Sequence, residues 1–97
     1  MRAPPELQVT DNRDESRYEA HVDCELAGWI LYEEQPGWIV LIHTQVVEEF
    51  EGRGVGSRLV AGALDDIRAR GLQVTPRCRF AAGYIERHPE YADLVAA

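Results

Sequence analysis

The stretch Glu48-Glu49-Phe50-Glu51-Gly52-Arg53-Gly54-Val55-Gly56-Ser57-Arg58-Leu59 constrains this chain more than any other. It follows the most apolar run in the sequence, Trp38 to Val47. It opens the best-marked helical pattern, Ser57 to Arg70. A strand, a glycine-rich turn and a helix N-terminus in that order form an anion site. Gly52, Gly54 and Gly56 let the backbone approach a ligand with no Cβ in the way. The first-turn amides of a helix have no intrahelical partner and point outward. The helix dipole favours negative charge there by roughly 0.3–1 kcal/mol per interaction. The stretch therefore reads as a cradle for a phosphate-bearing ligand over Gly52 to Leu59. The plainer reading is a turn that only joins a strand to a helix.

Two familiar phosphate motifs are excluded. The P-loop needs a lysine after its last glycine, and this chain contains no lysine. The dinucleotide fingerprint spaces its glycines G-x-G-x-x-G, whereas Gly52, Gly54 and Gly56 alternate. The remaining sequence supplies the frame. Residues 1–16 are polar, contain Pro4 and Pro5, and read as an extended or frayed lead-in with Leu7 and Val9 tucked against a sheet. Residues 17–97 read as a single domain. Tyr18, Ala20 and Val22 alternate with Arg17, Glu19 and His21, the pattern of a half-buried strand. Asp23-Cys24 begins a tight turn. Leu26 to Tyr32 is apolar on both faces and predicts a central strand. Leu26, Gly28, Ile30 and Tyr32 fall on one side and Ala27, Trp29 and Leu31 on the other. Pro36-Gly37 turns the chain into Trp38 to Val47. These short connections predict an antiparallel meander. After the glycine turn, Leu59, Val60, Ala63, Leu64 and Ile67 form one helical stripe, and Gly71 stands where a C-terminal glycine cap belongs. Leu72 to Thr75 predicts a short strand parallel to the third. A second helix over Phe80 to Arg87 stops at His88-Pro89, and Pro89 to Val95 suits a last helical turn. The fold class is α+β.

Composition narrows the partners. The net charge of −7 argues against a nucleic-acid or anionic membrane surface. No apolar run is long enough to span a membrane, and Met1 to Pro5 lacks the core of a signal peptide. The two cysteines, Cys24 and Cys78, form no C-x-x-C pair, so a reduced, cytoplasmic setting is expected. The histidines and cysteines show no metal-ligand spacing, and no metal site is expected.

The spacing x-G-x-G-x-G/A between a strand and a helix resembles the pyrophosphate loop of the GNAT acetyltransferase superfamily, usually written [Q/R]-x-x-G-x-[G/A]. Gly54 and Gly56 match; Glu51 departs from the first position. The segments Ile42-His43-Thr44-Gln45-Val46, Phe50 to Gly56, Pro76-Arg77-Cys78-Arg79-Phe80 and Tyr84 to Tyr91 together resemble the very small GNAT-like proteins of the YjdJ / NATD type. The likeness extends over nearly all of Arg17 to Val95. Arg79 departs from a common proline, and Cys24 stands where glycine would suit the hairpin. The resemblance implies a minimal GNAT-like fold: a strand meander, then glycine loop, helix, parallel strand and helix. It implies an acetyl-coenzyme A site, with the pantetheine arm in a gap between splayed strands. Val46 and Val47 would face the arm. Glu51, Gly52, Arg53, Gly54, Val55, Gly56, Ser57, Arg58 and Leu59 would hold the pyrophosphate. Arg53 and Arg58 are candidates for direct phosphate contact, or else solvated charges. His88 would border the cofactor or simply end its helix.

Acyl transfer from a thioester needs a deprotonated amine, a stabilised oxyanion and a proton for the leaving thiolate. Superfamily members often use a tyrosine for the last role, and Tyr84 lies on the corresponding helix; a core aromatic with a polar edge is its structural reading. Cys78 lies between a strand end and a helix start and is flanked by Arg77 and Arg79, surroundings that activate a thiol. It reads as a nucleophile that takes the acetyl group first, or as a small buried filler. His43, near the end of the apolar strand, is a candidate general base. Three functions stay open: an N-acetyltransferase of the EC 2.3.1 type acting on an unidentified small or protein amine, a coenzyme A or acyl-coenzyme A binding module with little turnover, and an interaction domain without catalysis. The expected assembly is a monomer or weak homodimer, with Trp29, Trp38 or a sheet edge as the contact.

Overall fold

The computed structural model describes residues 6–95. Met1 to Pro5 of the lead-in, together with Ala96 and Ala97, lie outside the described residues. Five strands form one sheet in the order β1 (Leu7–Asn12), β2 (Arg17–Val22), β3 (Glu25–Gln35), β4 (Trp38–Val46) and β5 (Gln73–Pro76). Strands β1 to β4 run antiparallel, and β5 joins β4 in parallel. Two helices, α1 (Val55–Ala69) and α2 (Arg79–Arg87), follow the meander, and a 3₁₀ segment over Pro89–Leu94 closes the described chain. The α+β class and the expected order from Arg17 onward are present.

The lead-in is extended, with Leu7 and Val9 packed against the core as expected, but it is not frayed over the described residues: Leu7–Asn12 is a paired strand, with Leu7 opposite Val22 and Asn12 opposite Arg17. Its inward positions are Leu7, Val9, which is set against the helix layer, and Asp11, a polar residue. Asp11 is retained there because it accepts a 2.6 Å hydrogen bond from the Tyr32 hydroxyl. The β2–β3 turn is a two-residue hairpin loop in which Asp23 (φ 49°) and Cys24 (φ 70°) are both left-handed. That is the turn whose twist suits antiparallel strands. Cys24 holds a conformation that favours glycine there.

Two register shifts shape the sheet. The pairing of β2 with β3 jumps from Ala20↔Gly28 to His21↔Leu26, so Ala27 is an extra residue. The bulge turns Ala27 into the core, where it is fully buried, and leaves Leu26 half-buried. Strict alternation had placed them the other way. The pairing of β3 with β4 jumps from Leu31↔His43 to Tyr32↔Leu41, so Ile42 is extra on β4. Bulges bend the strand that carries them.

Helix α1 lies across one sheet face. Leu59, Val60, Ala63, Leu64 and Ile67 are all fully buried, as their stripe predicts. Gly71 (φ 71°) ends the helix: its amide donates to the Arg68 carbonyl and the Leu72 amide donates to Ile67, a Schellman cap. Helix α2 packs at the β4–β5 margin through Ala81, Tyr84 and Ile85, which join the same core.

Candidate acyl-transfer groove

The β4–β5 ladder is short. It runs from Trp38↔Gln73 to Leu41↔Pro76 and stops where the Ile42 bulge begins. Pro76 has no amide to continue it. The Cys78 amide makes one further bond to the Leu41 carbonyl at 2.9 Å. Past that point, Ile42 to Val46 has β3 on one side and no strand on the other. The Val47 amide is occupied, donating to Ala27 at 2.8 Å. By the alternation of an antiparallel ladder, the amides of Thr44 and Val46 then face away from β3 into the gap.

One end of the gap opens onto the glycine turn. A cavity of about 250 Å³ is lined by Val46, Phe50, Glu51, Gly52, Gly54, Val55, Gly56, Ser57 and Phe80. Gly54 caps α1 with φ 75° and offers no capping side chain. The first intrahelical bond is Arg58 to the Gly54 carbonyl at 3.1 Å, so the amides of Val55, Gly56 and Ser57 have no helical acceptor. A Cβ on Gly56 would stand 2.9 Å from Phe80 Cζ. Glycine is therefore what permits Phe80 to lie against the start of α1. A phosphate fits this cradle: an uncapped helix start, open backbone at Gly52 and Gly54, and no side chain filling the space.

The other end holds Cys78. A cavity of about 390 Å³ is lined by Ile42, His43, Thr44, Arg77, Cys78, Arg79 and Phe80. Phe80, 42 % exposed, lines both cavities, so the two adjoin along the open edge of β4, a stretch called the groove below. Cys78 is 6 % exposed and caps α2. Its Sγ lies 3.1 Å from Thr44 Oγ1. Thr44 was not singled out in the sequence. Its signal was available only through the fold, because the contact spans the whole glycine turn, α1 and β5. His43 Nε2 lies 3.5 Å from Gln45 Oε1.

The remaining candidates are placed differently. Tyr84 stacks on His88 with ring centroids 3.9 Å apart, and neither lines the groove cavities. His88 Nδ1 is 2.8 Å from the Tyr84 carbonyl oxygen. A carbonyl only accepts, so Nδ1 carries the proton. Burial, followed by the charges of Glu90 and Asp65, raises the Tyr84 pKa, and the phenol stays protonated at neutral pH. Arg53 sits over the Phe50 ring at 5.6 Å, and Arg58 is exposed; neither lines the glycine cavity. Val47 packs partly buried against the core. A larger cavity of about 420 Å³, between Glu6, Gln8, His21, Asp23 and Cys24, lies at the β2–β3 turn. Its lining carries Glu6 and Asp23 and no uncapped helix start, so we place the site in the groove. Among the described residues no three potential ligands cluster to hold a metal, and no helix is long and apolar enough to cross a membrane.

No curated protein matches the chain. Solved structures do. The NMR solution structure of a GCN5-like protein from Staphylococcus aureus, described as a candidate N-acetyltransferase, superposes with a TM-score of 0.69 at 24% identity. The match covers 94% of this chain and 89% of that one. Ard1 from Thermoplasma volcanium gives 0.55 at 25% identity over 65% of this chain and 44% of its own. A ribosomal-protein-alanine N-acetyltransferase from Brucella melitensis biovar Abortus 2308 gives 0.56 at 18% over 84% of this chain and 61% of its own. The chain thus spans nearly all of the first structure and about half the length of the other two. Residues 17–94 match the model of the GCN5-related N-acetyl-transferase family. With the strand meander, glycine turn, helix and split β4–β5 pair in the order that family uses, this chain belongs to the GCN5-related N-acetyltransferases.

Proposed function

We propose that the protein transfers an acetyl group from acetyl-coenzyme A to an amine, with Cys78 as an intermediate carrier. One observation carries this reading: the glycine-turn cavity and the Cys78 cavity adjoin at Phe80 along the open edge of β4. The free amides of Val55, Gly56 and Ser57 bind the pyrophosphate. The open amides of Thr44 and Val46 pair with the pantetheine arm, and the arm's thioester end reaches the Cys78 cavity. The acyl donor supplies an activated carbonyl.

The chain's own groups do the rest. Thr44 Oγ1 donates to Cys78 Sγ as it becomes a thiolate, and three free first-turn amides of α2 face the same end. The Cys78 thiolate attacks the acetyl carbon, forming a new carbon–sulfur bond as the bond to coenzyme A breaks. Coenzyme A leaves as a thiolate and takes up the proton that Cys78 gave to His43 or to solvent. The acceptor nitrogen then attacks the Cys78 thioester, loses a proton to solvent or to His43, and releases the Cys78 thiol. Tyr84 lines neither cavity and stacks on His88, so we assign it to packing rather than to proton donation.

Intact-protein mass spectrometry after incubation with acetyl-coenzyme A, beside calorimetric titration with coenzyme A, tests the reading. The expected result is binding plus an acetyl adduct that thiols remove and that Cys78→Ala lacks. Binding without an adduct rejects the covalent route and favours direct transfer or a binding module. Absence of binding rejects the function as a whole.

A further inference from the structure

We propose that the amine acceptor carries an anionic group, a carboxylate or a phosphate, which Arg77 and Arg79 hold beside Cys78. This rests on the acetyl-transfer reading and deepens it to a substrate class. The chain has 17 acidic residues against 10 arginines, so a carboxylate partner is generally at hand. Among the described residues, Arg13, Arg17, Arg68 and Arg70 use one, whereas Arg53, Arg58 and Arg87 do not and line neither groove cavity. Arg77 and Arg79 make no ion pair within the described residues, although both line the Cys78 cavity. No carboxylate lines that cavity; its other members are Ile42, His43, Thr44, Phe80 and Cys78 itself. The coenzyme A phosphates do not need these arginines, since the glycine cradle lies at the other end of the groove.

The chemistry of the acceptor points the same way. An amine must be neutral to attack. Two guanidinium groups beside it favour its neutral form and repel polyamines and lysine-rich tails. An anionic group on the same molecule turns that field into attraction. Arg77 and Arg79 flank Cys78 in the chain and share its cavity, so a bound anion lies beside the thioester.

Alkylation of the thiols tests the anion site without any acetyl transfer. Iodoacetate and iodoacetamide have similar shape but differ by one charge, and Cys24 serves as an internal reference in an acidic setting beside Glu6 and Asp23. The iodoacetate-to-iodoacetamide rate ratio should be higher at Cys78 than at Cys24 by roughly tenfold. It should fall to the Cys24 value in the double variant Arg77→Gln, Arg79→Gln, with unchanged circular dichroism. Equal ratios at the two cysteines, or a Cys78 ratio unmoved by the double variant, overturn the proposal. In parallel, acetyl transfer to glycine and to glycinamide is compared. The double variant should raise the ratio of the KM for the acid to that for the amide roughly tenfold; an unchanged ratio overturns it. If no amine is acetylated but the alkylation preference is present, the anion site stands and the transferase reading fails. A Cys78 that neither reagent labels and no amine reaches overturns the anion site too.

Discussion

The two ends of the sheet are built to opposite rules. At the end where α1 stops, charge meets charge. The Tyr18 hydroxyl donates to Asp66 at 2.8 Å, and Tyr32 donates to Asp11 at 2.6 Å. Arg70 lies between Asp11, Asp66 and Glu34 at 3.6, 3.9 and 3.3 Å. One atom, Arg70 Nη1, is buried without a hydrogen bond, but two carboxylates face it. At the end where α1 begins, groups are left open. Among the described residues, the β4 edge past Leu41 has no strand beside it, the helix start has no side-chain cap, Phe80 and Ile42 are exposed, and Arg77 and Arg79 have no carboxylate. A small domain keeps only a modest margin of stability. This one concentrates its satisfied interactions at one end and leaves the other open.

That contrast can be broken by substitutions at each end. The largest expected effect on binding is at the groove. Gly54→Asp adds a Cβ at φ 75° and a negative charge beside the cradle. Coenzyme A affinity by calorimetry should fall at least tenfold, about 1.4 kcal/mol, with a much smaller change in melting temperature. Leu64→Ala does the reverse: a fully buried side chain is lost, and stability to denaturant should fall by about 2–5 kcal/mol while coenzyme A affinity of the folded fraction is retained. Next comes Thr44→Val, close in shape but without the hydroxyl that meets Cys78. Its acetyl-adduct rate should drop roughly tenfold, the loss of about one hydrogen bond to a charged group, and Thr44→Ser should restore it. A Thr44→Val enzyme as fast as the parent would remove Thr44 from the mechanism. Cys24→Gly relieves a left-handed non-glycine residue and should raise stability by about 1 kcal/mol.

The smallest effect is a pH dependence of the closed end. Burial first, then the bonded carboxylates of Asp66 and Asp11, pushes the Tyr18 and Tyr32 phenols above their ordinary pKa of 10.0. The unfolded chain therefore ionises first. The stability these groups contribute is complete below about pH 10 and is lost as pH rises toward the folded values. Glu19 acts in the other direction. Burial alone would raise its pKa, but hydrogen bonds from Asn12 and Arg17, and the Arg17 charge, hold it below 4.5. Its contribution is present above that pH and fades as the pH falls through the folded value. Chemical denaturation between neutral and strongly alkaline pH should show the first loss, and Tyr18→Phe should flatten it.

Much of this was legible because it depends on periodicity. The α1 stripe from Leu59 to Ile67, the Gly71 cap and the alternation of Tyr18 and Ala20 are local patterns with one physical solution. β1 was harder to read because one of its inward positions is Asp11, whose partner Tyr32 belongs to a strand two places away in the sheet. Ala27 could not be assigned to the core by counting, since a bulge resets the alternation. The glycine turn and Cys78 stood out in the sequence, whereas Thr44 and Phe80 did not. Their roles arise from contacts between segments far apart in the chain, Thr44 with Cys78 and Phe80 with Gly56.

The extra residue on β4 has a mechanical consequence. β4 and β5 part company at Ile42, after only Trp38 to Leu41 have paired. The width of the gap is thus set by backbone, not by the size of a side chain. The bulge at Ile42 bends β4 where Pro76 and the start of α2 leave it no neighbour, so substitutions along the edge change its lining without closing it.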